Sequence, residues 1–308
     1  MILEAPGCLR AVRFLVCAAL LPFTLSAQEV KQPALSPEQL VRRAVAHEVA
    51  ANNSPVKHSF RSQKKTPKGS QTRLFVETTD AMAGMLIAVN DQPLSAEQQQ
   101  AERGHLQWLV DNPDQLRKKH AREKEDAERT MRIIKAFPDA FLYENAGTET
   151  GRADLGRVND VLTRLKFRPN PNYSPPSRVE QVLQGMDGYL LIDATELRIA
   201  RIDGTLFRNV SFGWGFLGRL DKGGQFFVQQ ADIGGGDWEL TQMTLKMTGK
   251  ILLFKSLSMI SDETFSDYKR VPENLSFAEG VELLNTEREK SASIQSADTS
   301  SVKKSSPQ

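Results

Sequence analysis

Residues 186–208, MDGYLLIDATELRIARIDGTLFR, decide the fold. Two runs rich in aliphatic residues, 188–194 and 197–208, stand so close together that no helix fits between them. Strands joined this tightly must pair antiparallel, because a parallel crossover needs a dozen or more residues. Asp187-Gly188 and Asp203-Gly204 read as turn chemistry at their borders. Working outward, the same reading extends to segments 161–168, 224–233, 237–248 and 250–260. These are separated by glycine-rich punctuation such as Lys222-Gly223-Gly224 and Gly234-Gly235-Gly236-Asp237. Met243, Leu245 and Met247 alternate with Thr244, Lys246 and Thr248, the period of a strand with one wet face. Gln242 breaks the phase set by Trp238 and Leu240, which predicts a bulge or a twist there. From Val161 onward the chain therefore reads as an antiparallel meander.

The N-terminal half is mixed. Ser36-Pro37-Glu38 opens a helix that runs to about Asn53, with Leu40, Val41, Ala44 and Val49 on its buried side. Strands are expected at 57–64 and 70–79, and Met82 to Val89 is a further apolar segment closed by Asn90-Asp91-Gln92-Pro93. Ser95 and Gln98 form a capping box at the head of a charged arm over about 95–137. The arm divides into helices 95–111 and 113–136, broken at Asn112-Pro113 and ended by Pro138. A strand at 140–145, a polar loop at 146–157 and a proline-rich crossover at 169–176 complete the pattern. Residues 286–308 are Ser- and Lys-rich and expected to be disordered. The fold class is thus α+β: a helix, several strands, a helical arm and then an antiparallel β-meander, with no parallel βαβ units. One domain is expected over 28–285.

The 308 residues carry 40 basic and 38 acidic side chains, a formal charge of +2. That balance calls for no nucleic-acid partner. Arg10 and Arg13, then the uncharged run Phe14–Leu25, then Ser26-Ala27, have the order of a signal peptide cleaved near residue 27. The apolar run is too short to span a bilayer. Cys8 and Cys17, the only cysteines, lie inside the expected signal peptide. The mature chain is therefore expected to be periplasmic and thiol-free, without a transmembrane segment, disulfides or zinc thiolate sites.

Catalytic signatures are weak. Gly213-Trp214-Gly215-Phe216-Leu217-Gly218 matches a dinucleotide-binding pattern in letters, but Asp221-Lys222-Gly223-Gly224 and a further strand follow where the motif needs a helix. His47-Glu48 fails as a zinc helix because Ala51 stands where the second histidine is needed. No serine occupies a nucleophile elbow. Neither a catalytic site, a metal nor a cofactor is expected, and the chain reads as non-enzymatic.

Gly188-Tyr-Leu-Leu-Ile-Asp193 followed by Arg198-Ile-Ala-Arg-Ile-Asp203-Gly204 resembles the later meander of the LolA/LolB-like periplasmic lipoprotein carriers. The order of leader, lone helix, meander and helical arm is also similar to theirs, over about 36–272. The chain looks like a group of bacterial envelope proteins that carry Phe212-Gly-Trp-Gly-Phe-Leu-Gly218 as well. The carrier resemblance implies a strongly curved antiparallel sheet, a half-open β-barrel, with helices covering its concave side, and an apolar cavity that shields acyl chains of a lipid or lipoprotein. The candidate ligand-binding residues are Met82, Met85, Phe212, Trp214, Phe216, Phe227, Met243 and Met247, because thioethers and aromatic rings suit a concave surface for varied apolar chains. The arm and the proline-rich crossover depart from the compact carriers. The alternative is an envelope scaffold that binds a protein partner through the charged arm.

Overall fold

A computed structural model describes residues 35–212, 218–251 and 255–303. The signal-peptide segment, Trp214 and Phe216 lie outside the described residues. The order of elements is α1 (Pro37–Ala51), β1 (Lys57–Thr66), β2 (Gly69–Val76), β3 (Ala83–Val89), β4 (Gln92–Pro93), α2 (Ala96–Asp111) and α3 (Pro113–Ala140). Next come β5 (Phe141–Thr150), β6 (Val161–Pro169), the single turn α4 (Arg178–Gln181), β7 (Met186–Asp193), β8 (Arg198–Leu206), β9 (Val210–Phe212) and β10 (Gly218–Leu220). The chain ends with β11 (Gln225–Asp232), β12 (Trp238–Ile251), β13 (Lys255–Val271) and α5 (Phe277–Lys303).

The strands form one curved antiparallel sheet in the order β4-β3-β2-β1-β13-β12-β11-β8-β7-β6-β5, with β9 and β10 attached beside β12. Its edges, β4 and β5, do not pair, so no barrel closes. The α+β architecture expected from the meander is the one observed. Helix caps also fall where local chemistry puts them. Ser36 with Gln39 and Ser95 with Gln98 both form complete capping boxes. The irregularity expected at Gln242 is a bulge: Gln229 and Gln230 face Gln242 and Leu240, leaving Thr241 unopposed.

Five local expectations are corrected. Asp187-Gly188 and Asp203-Gly204 are not turns: the two glycines face each other inside β7 and β8. A Cβ on Gly188 would lie 1.9 Å from the Asp203 carbonyl oxygen, so the pair marks a close backbone approach. The loop expected at 146–157 begins later. β5 runs to Thr150, and Gly147, at φ +98°, serves a register shift between Asn145 and Thr148. The break expected near Gly249 is absent, because β12 continues to Ile251 with β10 paired alongside. Pro138 sits inside α3 rather than ending it. At that point only one late backbone bond is lost, and the ring is buried beside Phe137. The helix α5 runs through residues expected to be disordered. Its start is anchored by buried Phe277, Val281 and Leu284, and Glu287 pairs with Lys269 at 2.9 Å.

Three apolar clusters hold the domain. The main one packs α1 and the C-terminal half of α3 onto β5–β8, through Val41, Ala44, Phe137, Phe141, Phe167, Leu190 and Ile202. A second lies on the other face of β2 and β3, where Val76 and Met85 meet Leu106 and Leu109 of α2 and Phe277 and Leu284 of α5. The third gathers Leu155, Leu162, Leu191, Ala200 and Trp238. Among the described residues no helix is long and apolar enough to cross a membrane.

Candidate functional site

Direct cross-strand partners project to the same side of a sheet, and i, i+2 neighbours share it. Phe226 faces Leu245 and Val228 faces Met243 across β11 and β12. Met243 in turn faces Glu263, which faces Lys64. Phe265 faces Ser62, Ser62 faces Arg73, and Phe60 faces Phe75. One face therefore carries Phe226, Val228, Met243, Leu245, Phe265, Phe60 and Phe75 in succession, and it is the face on which α1 and α3 sit, since Leu245 and Phe226 pack against the main cluster. All seven are half-buried. Val228, Met243, Phe265 and Phe75 belong to none of the three clusters. The rings are ordered among themselves: Phe60 stacks on Phe75 at 5.2 Å and lies 6.2 Å from Phe265.

Two clefts open along this face and share Arg73 and Phe75. One, of about 510 Å³, is walled by Ser62, Lys64, Lys68, Gln71 and Glu263. Its floor is tied down: Ser62 Oγ donates to Glu263 Oε1 at 2.5 Å, and Lys64 Nζ lies 3.2 Å from Glu263 Oε2. The other, of about 570 Å³, lies between the sheet edge and the two arm helices, with Met82, His105, Trp108, Lys118 and Arg122 in its wall. Both volumes are in the range of ligand pockets.

The charged arm frames the second cleft because α3 is fixed at both ends. In its N-terminal half Glu123 accepts a hydrogen bond from Met82 N at 3.0 Å, and His120 Nδ1 meets the Asp80 carbonyl. Near its end Ile133, Ile134 and Phe137 join the main core, and Tyr143 donates to the Phe137 carbonyl at 2.7 Å. Helix α2 is held by Glu102, which accepts from Leu86 N at 2.8 Å. A helix of 28 residues rises about 42 Å, enough to bridge sheet edge and core.

The sequence-chosen residues separate into groups. Met243 lies on the apolar strip and Met82 in the arm cleft. Met247 and Met85 are core residues, 5% and 1% exposed in the first and second clusters. Phe212 packs half-buried on the first cluster. Phe227 faces Thr244, on the opposite side of the sheet from Met243, and lies under the Arg201 guanidinium at 5.7 Å. The six of these residues that the structure describes therefore do not line a single cavity. Sequence reasoning missed Phe75, Phe265 and Trp108; the i, i+2 spacing of Arg73 and Phe75, alternating with Leu74 and Val76 on the other side of β2, was the available signal.

A second polar constellation sits where β1 meets the start of β12. His58, 3% exposed, places Nε2 3.2 Å from Asp237 Oδ2. Its Nδ1 lies 3.0 Å from Glu239 Oε1, at ion-pair distance but without hydrogen-bond alignment. Arg270 donates to Asp237 at 2.6 Å and holds that carboxyl below the usual range. Glu239 is pushed up to about 7, first by burial and then by Glu77, with His58 opposing. Tyr268, edge-on to His58 at 6.0 Å, donates to the Leu240 carbonyl at 2.8 Å and is raised by burial. Among the described residues no group of His, Cys, Asp or Glu is arranged to hold a metal ion.

No family model matches the chain, and no curated protein sequence does. A solved structure of a DUF1329 family protein from Desulfovibrio piger aligns over 76% of this chain and 93% of its own, at 10% identity and a TM-score of 0.23. A likeness of that degree carries no functional argument.

Proposed function

We propose that this chain is an exported, non-enzymatic protein of the bacterial cell envelope that binds acyl chains of a lipid or lipoprotein on the helix-covered face of its sheet. The observation that supports this reading is the apolar strip Phe75, Phe265, Met243 and Val228. It is half-buried, belongs to no core cluster and adjoins two clefts. Each methylene taken from water gains about 0.8 kcal/mol, so eight methylenes on the strip supply roughly 6 kcal/mol before ordering costs. The occupant lies in an open trough along the strip rather than in a closed cavity, since Met247 and Met85 are committed to solid cores.

Native mass spectrometry of protein purified from membrane-containing cells tests the reading. A population carrying an added lipid mass, lost on delipidation, supports it. Bare protein that also fails to take up added monomeric dodecyl maltoside rejects it.

A further inference from the structure

The arm cleft has an imbalance of charge that its own chain does not resolve. Gln115, Lys118, Lys119, Arg122, Glu123 and Asp126 form one stripe of α3 along it. The acids of the stripe are engaged: Glu123 pairs with Lys119 and accepts from Met82 N, and Asp126 pairs with Arg129 at 3.2 Å. Across the cleft Glu102 accepts from Leu86 N and lies 3.7 Å from Arg73. Lys118 and Arg122, one turn apart, have no ion-pair partner among the described residues. Like charges at this spacing repel by a few tenths of a kcal/mol, a cost that a bound anion would offset. Beside them Trp108 is 46% exposed and stacks on His105 with ring centroids 6.1 Å apart. An exposed indole next to two unpaired cations, on a cleft whose floor includes Met82 and Phe75, suits a molecule with an apolar chain and an anionic end.

We infer that Lys118 and Arg122 bind the anionic headgroup, a phosphate or carboxylate, of an amphiphile whose chain leaves past Trp108 and Phe75 toward the strip at Phe265 and Met243. This inference rests on the acyl-chain reading above. The shared residues Arg73 and Phe75 connect the arm cleft to the neighbouring one. Phe75, Phe60 and Phe265 then form a continuous row of rings. The guanidinium offers paired donors and the ammonium a compact charge, the combination that grips a phosphate or carboxylate oxygen set.

The test compares three monomeric twelve-carbon probes, dodecyl phosphate, laurate and dodecyl maltoside, on wild type and on Lys118→Gln/Arg122→Gln, by calorimetric titration. Wild type is expected to bind at least one anionic probe tenfold or more tighter than the maltoside. A preference of phosphate over laurate assigns the headgroup as phosphate, and the reverse assigns carboxylate. The variant is expected to lose that preference to within about twofold while keeping its maltoside affinity and its melting temperature. Equal binding of all three probes by wild type overturns the headgroup assignment and leaves chain binding intact, as does a variant that retains the preference. Binding of no probe overturns both. Raising the salt on wild type alone gives a second readout that needs no variant: the anionic preference must shrink with ionic strength.

Discussion

Replacing Glu48 with alanine should loosen α1 from the sheet and cost the fold about 3–5 kcal/mol. Both carboxylate oxygens of Glu48 are in use. Oε1 accepts from Arg198 Nε at 2.9 Å and from Ile199 N at 2.8 Å, and Oε2 accepts from Arg198 Nη2 at 3.1 Å. Each side chain of the pair is only 10% accessible. Removing the carboxylate strands a buried guanidinium and a backbone donor together, and a broken buried pair costs about 3–5 kcal/mol. A domain of this size shifts by about 2–4 °C per kcal/mol, so the melting temperature should fall by about 6–20 °C. Thermal melts and urea titrations read this directly, with the urea midpoint moving and its slope unchanged. Two companions frame the result. Arg42→Ala breaks an exposed pair with Asp139 and should cost under about 1 kcal/mol. Glu48→Met with Arg198→Met should recover most of the loss, because an apolar replacement leaves no orphaned charge. A loss below about 1 kcal/mol in Glu48→Ala would refute the reasoning and show that water reaches the pair.

The remaining predictions concern the acid cluster and the core. Glu239 titrates near 7 in the folded chain against an ordinary 4.5, so the folded state holds its proton more tightly. Its stabilising contribution is complete below the unfolded value and is lost as pH rises through about 7, amounting to roughly 1–3 kcal/mol. Melting temperature followed from pH 5 to 8 should therefore fall more steeply in wild type than in Glu239→Gln; parallel curves would contradict the assignment. Leu190→Ala empties the centre of the main cluster and should cost about 2–5 kcal/mol in a denaturant titration, a smaller loss meaning that neighbours collapse into the space.

Much of the fold was legible because its signals are local. The capping boxes at Ser36 and Ser95, the Asn112-Pro113 break and the alternation Met243, Leu245, Met247 each act within a few residues. The misread points depend on distant partners. Gly188 looks like a turn residue until Asp203 is known to lie against it, and Gly147 looks like the start of a loop until its register shift against β6 is seen. Nothing near Thr286 announces that Lys269, far away in sequence, will hold the helix there. The binding face was legible only in part for the same reason. Periodicity shows that Met243 and Met247 share a side, but not that Met247 ends under the main core while Met243 stays outside it. Phe227 was misplaced by one residue of register, which in a strand means the opposite face. The sequence showed the arm only as two charged helices, and its stripe of Lys118 and Arg122 gained meaning only once α2 and β3 were placed across from it.

The most direct test of the central claim is calorimetric titration of a neutral alkyl-chain probe, monomeric dodecyl maltoside, at several temperatures into wild type and Met243→Lys. Burial of apolar surface gives a negative heat-capacity change on binding. Wild type should bind saturably with that signature, and Met243→Lys, folded to the same melting temperature, should lose at least tenfold in affinity. Absence of binding, or a Met243→Lys protein that binds as tightly as wild type, would contradict the claim that the apolar strip holds the chain.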